Sequence, residues 1–252
     1  MRAEALAEIA DDNAETQAAI AKAGCFGPLL ALLSSRSASA QSKSMAALAQ
    51  LTRHNRDNQD AVARMGGIKP IVQLLESSST DVTSYAASAL MEISRGNLPN
   101  QKTVVDLGAV GQLGNLIKTS NDERVKAEVA GAIWSLSETP EIKAMFGFCN
   151  APLVTLLGMG SARAREHAAG ALASLGLDNK ANQVVLTQLL VELLINGNRE
   201  AQERAVKALN ALVKENTSAH EVIAQAGNPA QLVALLKSSH LEAKDYALWA
   251  LS

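Results

Sequence analysis

The sequence predicts an all-α fold in which similar three-helix units are stacked into a solenoid. One observation is a phrase that recurs about every 42 residues, as it does in repeat arrays. A second is that apolar residues recur at helical spacing, without strand-like alternation. The third is composition, because 48% of the 252 residues are hydrophobic but only 3% are aromatic. A core of Ala, Leu, Val and Ile favours helices that pack closely through small side chains.

Two markers measure each unit. The aliphatic marker closes an "LL"-type pair and falls at Leu33, Leu75, Ile117, Leu157, Leu194 and Leu236. The polar marker falls at Gln17, Gln59, Gln101, Lys143, Gln183 and His220. An aliphatic marker always precedes the next polar marker by 26 residues, whereas the step from polar to aliphatic marker is 16 residues, shortened to 14 in the fourth unit and 11 in the fifth. Length changes confined to one connection are typical of stacked units.

Each unit is expected to contain three helices. The first is short and ends at a glycine, which adopts the left-handed conformation without a Cβ penalty; these glycines are Gly24, Gly66, Gly108 and Gly227. The second is expected to begin at a proline, at Pro28, Pro70 or Pro152. The third is longer, as in "VTSYAASALMEIS". The fifth unit, "ANQVVLTQLLVELLING", lacks the internal glycine and five residues, so its first two helices are expected to be fused or bent.

These residues resemble armadillo repeats. The "NQxxVxxxGxIxxLVxLL" block and the "AAxALxxL" third helix carry the resemblance over essentially the whole chain, whereas HEAT repeats lack the glycine-ended first helix. It extends to the arrays of β-catenin, importin-α and vacuolar or plant armadillo proteins, and it implies a right-handed superhelical α-solenoid. One solenoid would span residues 1–252, with a partial third helix at 1–10 and repeats at about 11–53, 54–95, 96–138, 139–178, 179–215 and 216–252. Because neither end carries a polar capping unit, we expect a segment of a longer array.

The sequence contains no recognisable catalytic constellation. Its four histidines are at no metal-ligand spacing with Cys or Asp, and Cys25 and Cys149 fall three repeats apart, too far to form a disulfide. A formal charge of −2, from 23 basic and 25 acidic residues, gives no footprint of nucleic-acid or membrane binding. We therefore expect a non-enzymatic protein without cofactor or metal, located in the cytoplasm, the nucleus or both.

The resemblance implies that the third helices line a concave groove for a protein or peptide segment. In armadillo proteins of the importin-α kind, each third helix presents a Trp and, four residues on, an Asn that clamps an extended peptide. The Trp position here holds Glu4, Ala46, Ser88, Gly131, Gly170, Lys207 and Trp249. The Asn position holds Glu8, Gln50, Glu92, Ser135, Ser174 and Ala211. The Trp/Asn pattern is missing, which argues against a receptor for nuclear localisation signals.

The candidate groove residues come from these two positions and from the preceding helical turn. They are Lys43, Ala46, Gln50, Tyr85, Ser88, Glu92, Glu128, Gly131, Ser135, His167, Gly170, Ser174, Arg204, Lys207, Tyr246 and Trp249. Their charges have mixed signs, unlike the basic groove of the β-catenin kind. The small residues either let the third helices crowd together or form a trough for a partner's helix or bulky side chain. Trp134, outside this set, is expected to pack between repeats.

The sequence therefore predicts a protein-interaction scaffold that binds a partner segment in the groove. Two alternatives stay open. The chain would be the substrate-recognition part of a larger ubiquitin ligase, with the catalytic part outside it, or a nuclear-transport or organelle adaptor.

Overall fold

The computed structural model describes residues 13–214 and, beyond them, the single positions Val233, Leu236, Lys244, Ala247 and Leu248. The chain divides into two compact units, Met1–Glu138 and Thr139–Ser252, and each is described by itself. The described residues form fourteen α-helices and one short 3₁₀ turn, and they contain no strand. The predicted all-α repeat fold is confirmed.

The first unit contains three complete three-helix repeats. Its helices are α1 (Ala14–Lys22), α2 (Phe26–Leu32), α3 (Ala38–Thr52), α4 (Arg56–Arg64), α5 (Ile68–Leu74), α6 (Thr80–Ser94), α7 (Leu98–Asp106), α8 (Ala109–Thr119) and α9 (Glu123–Leu136). The third helices α3, α6 and α9 lie side by side, and α6 packs extensively against both neighbours. Their contact faces are aliphatic, with Met45, Leu48 and Leu90 fully buried.

The second unit begins with another three-helix repeat and then departs from the pattern. Its elements are α10 (Pro140–Met145), a 3₁₀ turn (Gly147–Cys149), α11 (Asn150–Met159), α12 (Ala162–Gly176), α13 (Lys180–Asn196) and α14 (Arg199–Lys214). Helix α13 is continuous over 17 residues. Of the two expectations for the first helices of the fifth repeat, fused or bent, the structure shows the fused one, and no left-handed glycine interrupts the helix.

Short polar side chains begin most helices. Four first helices start after an asparagine whose side chain accepts a hydrogen bond from the backbone N–H three residues on, as Asn55 accepts from Asn58, and in α10 Thr139 has this role. The third helices start in the same way after Ser37, Ser79, Asp122 and Ser161. Gly66 and Gly108 terminate first helices at φ +74° and +85°, the left-handed conformation that their position predicted.

The proline prediction was wrong by two residues. Helix α5 begins at Ile68, so Pro70 is its third residue, and Pro28 and Pro152 have the same place in α2 and α11. The reason is that none of the N–H groups in a helix's first turn has an intrahelical acceptor. A proline is therefore tolerated throughout that turn and does not identify the first helical residue.

Buried amide side chains join the repeats at the ends of the third helices. The last four carbonyl groups of a helix have no intrahelical donor. At the end of α3, Gln17 Nε2 donates to the Gln50 and Arg53 carbonyls at 2.9 and 3.3 Å. From the next repeat, Asn58 Nδ2 donates to the Leu51 carbonyl at 2.7 Å. Side chains of two successive first helices therefore hold the same third helix.

We call these buried amide side chains, with the helix-end carbonyls that they bind, the amide ladder. Gln59 makes the most hydrogen-bond contacts described in it. Its Nε2 lies 3.3 Å from the Thr52 carbonyl of α3, and 2.9 and 3.3 Å from the Glu92 and Arg95 carbonyls at the end of α6. Its Oε1 accepts from Asn97 Nδ2, at the start of the next repeat, at 3.1 Å. One buried carboxamide thus connects three successive repeats.

The amide ladder continues with substitutions. In the second unit, Lys143 replaces the glutamine and donates from Nζ to the Leu177 carbonyl at 2.9 Å, while Gln183 Nε2 donates to the Gly176 carbonyl at 2.7 Å. In the first unit, Gln101 Nε2 reaches the Ser94 carbonyl at 3.0 Å. Gln101 Oε1 is buried and has no hydrogen-bond partner in the part of the chain that the structure describes. The position four residues before the glutamine is Asn55 in the second repeat and Asn97 in the third. In the fourth repeat the equivalent residue, four before Lys143, is Thr139.

We expect Gln59→Ala to lower the free energy of unfolding by about 2–3 kcal/mol, because it leaves several buried polar groups without partners. Gln101→Ala removes the hydrogen bond from Nε2 to the Ser94 carbonyl and should cost about 1 kcal/mol. Urea unfolding followed by far-UV circular dichroism measures both, with exposed Gln73→Ala as control. Equal losses for the two ladder variants would contradict the unequal bonding described above.

Candidate functional site

The third helices of the first unit place some of the predicted groove residues at the surface and bury others. Lys43 and Tyr85 are exposed, and the phenol ring of Tyr85 is the large group of this face, with 40% of its surface accessible. Half-buried are Ala46, Gln50 and Ser88. Buried are Glu92, Glu128, Gly131 and Ser135. The accessible part of this face therefore lies along α3 and the first half of α6.

In the second unit the same positions are distributed differently. Lys207 is exposed, Gly170, Ser174 and Arg204 are half-buried, and His167 is buried. Tyr246 and Trp249 lie outside the described residues. Exposed on α12 are instead Glu166, Ala169 and Ala173, each one position before a predicted residue. The accessible face of α12 is thus rotated from the one predicted by register.

Glu92 is held in a network that crosses the repeats. Its carboxylate lies 3.6 Å from Arg53 Nε and 3.4 Å from Arg95 Nε. The glutamate side chain is 4% exposed and its two arginine partners are 27% and 30% exposed. The guanidinium of Arg95 in turn lies over the Trp134 ring, 5.5 Å from its centroid, in cation–π geometry. This contact confirms that Trp134 packs between repeats.

A second ion pair joins α6 and α9 at their exposed starts. Arg124 Nη2 lies 2.8 Å from Asp81 Oδ1, and this hydrogen bond raises the pKa of Arg124. Both side chains are well exposed, so the pair contributes little to stability. Its effect is to neutralise two charges of opposite sign on the third-helix face of the first unit.

A cavity of about 450 Å³ opens between the third helices α12 and α14 of the second unit. Its floor is aliphatic, and the residues that form it are Leu157, Leu172, Leu190, Leu212, Ala169, Ala173, Ala208 and Ala211. Its rim carries Arg165, Glu166, Arg204 and Lys207. We call this feature the α12/α14 pocket. It is an apolar recess on a third-helix face with charged groups at its edge, as ligand-binding pockets commonly are.

At the pocket, α12 lacks a long side chain that other third helices have. Two equivalent positions of each third helix, four residues apart, hold one alanine and one long side chain in the first unit. They are Met45 and Ala49 in α3, Ala87 and Met91 in α6, and Ala130 and Trp134 in α9. The equivalent residues of α12 are Ala169 and Ala173. Met45 and Met91 are buried, whereas both alanines of α12 are exposed. Replacing the long side chain by a methyl group leaves the space open.

Arg204 fixes one wall of the pocket. Its Nε and Nη2 donate to the Leu157 and Gly158 carbonyls near the end of α11, both at 2.8 Å. Its Nη1 lies 3.4 Å from a carboxylate oxygen of Glu200. These bonds hold α14 against α11, so the open space beside α12 does not close by movement of the helix. Arg165 Nη1 similarly donates to the Gly160 carbonyl at 2.9 Å.

Sequence reasoning placed Arg204 and Lys207 on this face but missed the floor of the pocket. Ala169, Ala173 and Ala208 could not be recognised as site residues, because an alanine side chain has no charged, polar or aromatic group that would indicate binding. The available signal was the absence of a long residue at both positions of α12, visible when the third helices are aligned with one another.

The remaining features give no sign of a reactive centre. Within the described residues there is no group of three or more His, Cys, Asp or Glu side chains arranged to hold a metal ion. No helix in the same part of the chain is long and apolar enough to cross a membrane. Neither Cys25 nor Cys149 forms a disulfide within the described residues, and burial raises the pKa of the Cys25 thiol.

The sequence matches a family model in its central part. The model of the Armadillo/beta-catenin-like repeat matches residues 55–95 and 97–138, which are the second and third repeats of the first unit. A search among curated proteins finds no significant match.

Solved structures resemble most of the chain. An engineered protein is 32% identical, with a TM-score of 0.75 over 99% of this chain and 62% of its own, so the chain spans less than two thirds of that structure. A second engineered protein is 30% identical, with a TM-score of 0.69 over 90% of this chain and 94% of its own. A designed armadillo repeat protein in complex with the peptide (KR)4 is 26% identical, with a TM-score of 0.72 over 83% of this chain and 91% of its own.

We expect Ala173→Met to raise the free energy of unfolding by about 0.5–2 kcal/mol, because the new side chain fills part of the pocket that Ala173 lines. The same substitution at Ala49, which is buried in the same register beside Met45, should lower it by about 1–3 kcal/mol through overpacking. Thermal and urea unfolding of the two variants provide the comparison. Destabilisation by Ala173→Met would show that the pocket is not open space in solution.

Proposed function

Because the chain belongs to the armadillo-repeat family, we propose that it is a non-enzymatic protein-binding scaffold that holds a segment of a partner protein against its third helices. The observation that carries this proposal is the open, apolar α12/α14 pocket on a third-helix face. An apolar recess with a few charged groups at its edge has the usual character of a ligand-binding site.

A peptide is the favoured kind of ligand. One structural relative is a designed armadillo repeat protein in complex with a peptide. Its resemblance in fold to this chain supports a polypeptide partner over a small molecule. The designed protein's own ligand, (KR)4, is strongly basic, and the residues of this chain give no reason to carry that preference over.

The mode of binding is expected to rely on side-chain anchors. An extended peptide is held along its backbone only where each repeat offers an amide, and the Asn position here holds Gln50, Glu92 and Ser135 in the first unit. Glu92 is engaged with two arginines, and Ser135 donates to the Ala132 carbonyl of its own helix at 3.1 Å. The pocket offers a different kind of contact, in which a bulky side chain is buried and removed from water.

The cell interior is the proposed site of this activity. Cys25 and Cys149 form no disulfide within the described residues, and a reducing compartment keeps cysteines in that state.

Selection of a random dodecapeptide library against the full chain tests the proposal. We expect enriched peptides that lose at least about tenfold in affinity for Ala173→Trp, a loss of roughly 1.4 kcal/mol, because the indole fills the pocket. Ala181→Trp, an exposed alanine at the start of α13, is the matched control and should bind normally. Affinities are measured by fluorescence anisotropy, and circular dichroism checks that both variants are folded.

The proposal fails if no peptide is enriched. It fails equally if the enriched peptides bind Ala173→Trp as tightly as the unmodified chain.

A further inference from the structure

We infer that the α12/α14 pocket takes a bulky apolar side chain from a partner segment that carries carboxylates close to that side chain. This inference rests on the proposed function, since it names the chemistry of the segment that the scaffold holds. Two separate features carry it, the aliphatic floor of the pocket and the unneutralised cations on its rim.

The floor selects an apolar anchor. Leu157, Leu172, Leu190 and Leu212 meet the alanines of α12 and α14 there. A polar side chain buried on this floor would lose its hydrogen bonds to water without replacement, which costs roughly 1–3 kcal/mol. The volume of about 450 Å³ falls within the range of roughly 300–1,000 Å³ found for ligand pockets. The pocket therefore favours Leu, Met, Phe or Trp.

The repeats themselves indicate how such an anchor is seated. In α6 the buried Met91 occupies the position equivalent to Ala173, and in α9 the same position is Trp134. A third helix of this protein thus accommodates either a long aliphatic or an aromatic side chain there. The partner's anchor takes the place that the chain's own residue takes in the other repeats.

The rim supplies the charge preference. Arg165 on α12 and Lys207 on α14 border the pocket. Lys207 is exposed and forms no hydrogen bond or ion pair within the described residues. Arg165 donates to the Gly160 backbone carbonyl, and no carboxylate within that same part of the chain pairs with it. Each of the two helices therefore presents a cation that forms no ion pair with a carboxylate of the described residues.

The other charged groups leave this balance positive. Arg204 is engaged with two backbone carbonyls and with Glu200. Glu166 is exposed on the rim and offsets one of the remaining cations. A segment with Asp or Glu near its anchor gains attraction from this rim, whereas Lys or Arg at the same place is repelled.

The experiment repeats the peptide selection on Lys207→Glu, with Lys69→Glu as control because it changes the same net charge at an exposed site of the first unit. Peptides selected on the unmodified chain should carry Asp or Glu within a few residues of the apolar anchor. Their affinity should fall about two- to fivefold on Lys207→Glu, as for exposed charge pairs. It should recover when the peptide carboxylate is replaced by Lys. Lys69→Glu should leave the affinity unchanged.

Three outcomes would overturn the inference, and they separate it from the proposed function. Peptides that need the pocket, as judged by Ala173→Trp, but show no acidic preference would leave the scaffold function standing and remove the charge preference. Equal weakening by Lys69→Glu would assign the effect to net charge instead of the rim. A dimer in analytical ultracentrifugation that dissociates on Ala173→Trp would identify a second copy of the chain as the occupant.

Discussion

The structure depends on how the carbonyl groups at the ends of the third helices are satisfied. Each helix of this kind ends inside the stack, away from water, and its last carbonyls need donors that its own backbone cannot supply. The amide ladder supplies them from two successive first helices, as Gln17 and Asn58 do for α3. The same hydrogen bonds that complete one helix therefore join it to the next repeat, so secondary structure and stacking are stabilised together.

This arrangement leaves the third-helix faces free to vary. The polar contacts that hold the repeats together lie at the helix ends, and the faces between them contribute mainly aliphatic packing. An alanine in place of a long side chain, as at Ala173, therefore reduces local packing without removing the polar contacts between repeats. Arg204, bonded to the Leu157 and Gly158 carbonyls, keeps the neighbouring helix in place around the resulting space. A repeat protein can in this way form a binding pocket at one joint while the others stay filled.

Sequence alone was sufficient for the period, the helices and the fused fifth repeat, because these depend on local patterns of apolar, glycine and polar residues. It located Gln59 as a marker but not its partners, since the carbonyls that it bonds belong to residues 7 to 36 positions away. It placed Glu92 in the groove by register, whereas burial of that carboxylate depends on Arg53 and Arg95 from two different repeats. The pocket was missed for a related reason. It is marked by short side chains on α12, and its other walls come from residues distant in the sequence.

The alanine pair of α12 also bears on how such a protein acquires a new specificity. The positions of Met45 and Met91 are occupied by side chains that make no hydrogen bond and end in a flexible thioether, so either can be shortened without disturbing the polar joints. Shortening one of them would create a recess at a different height along the stack. Ligand position in this architecture is therefore tunable by truncating single residues, independently of the polar contacts that join neighbouring repeats.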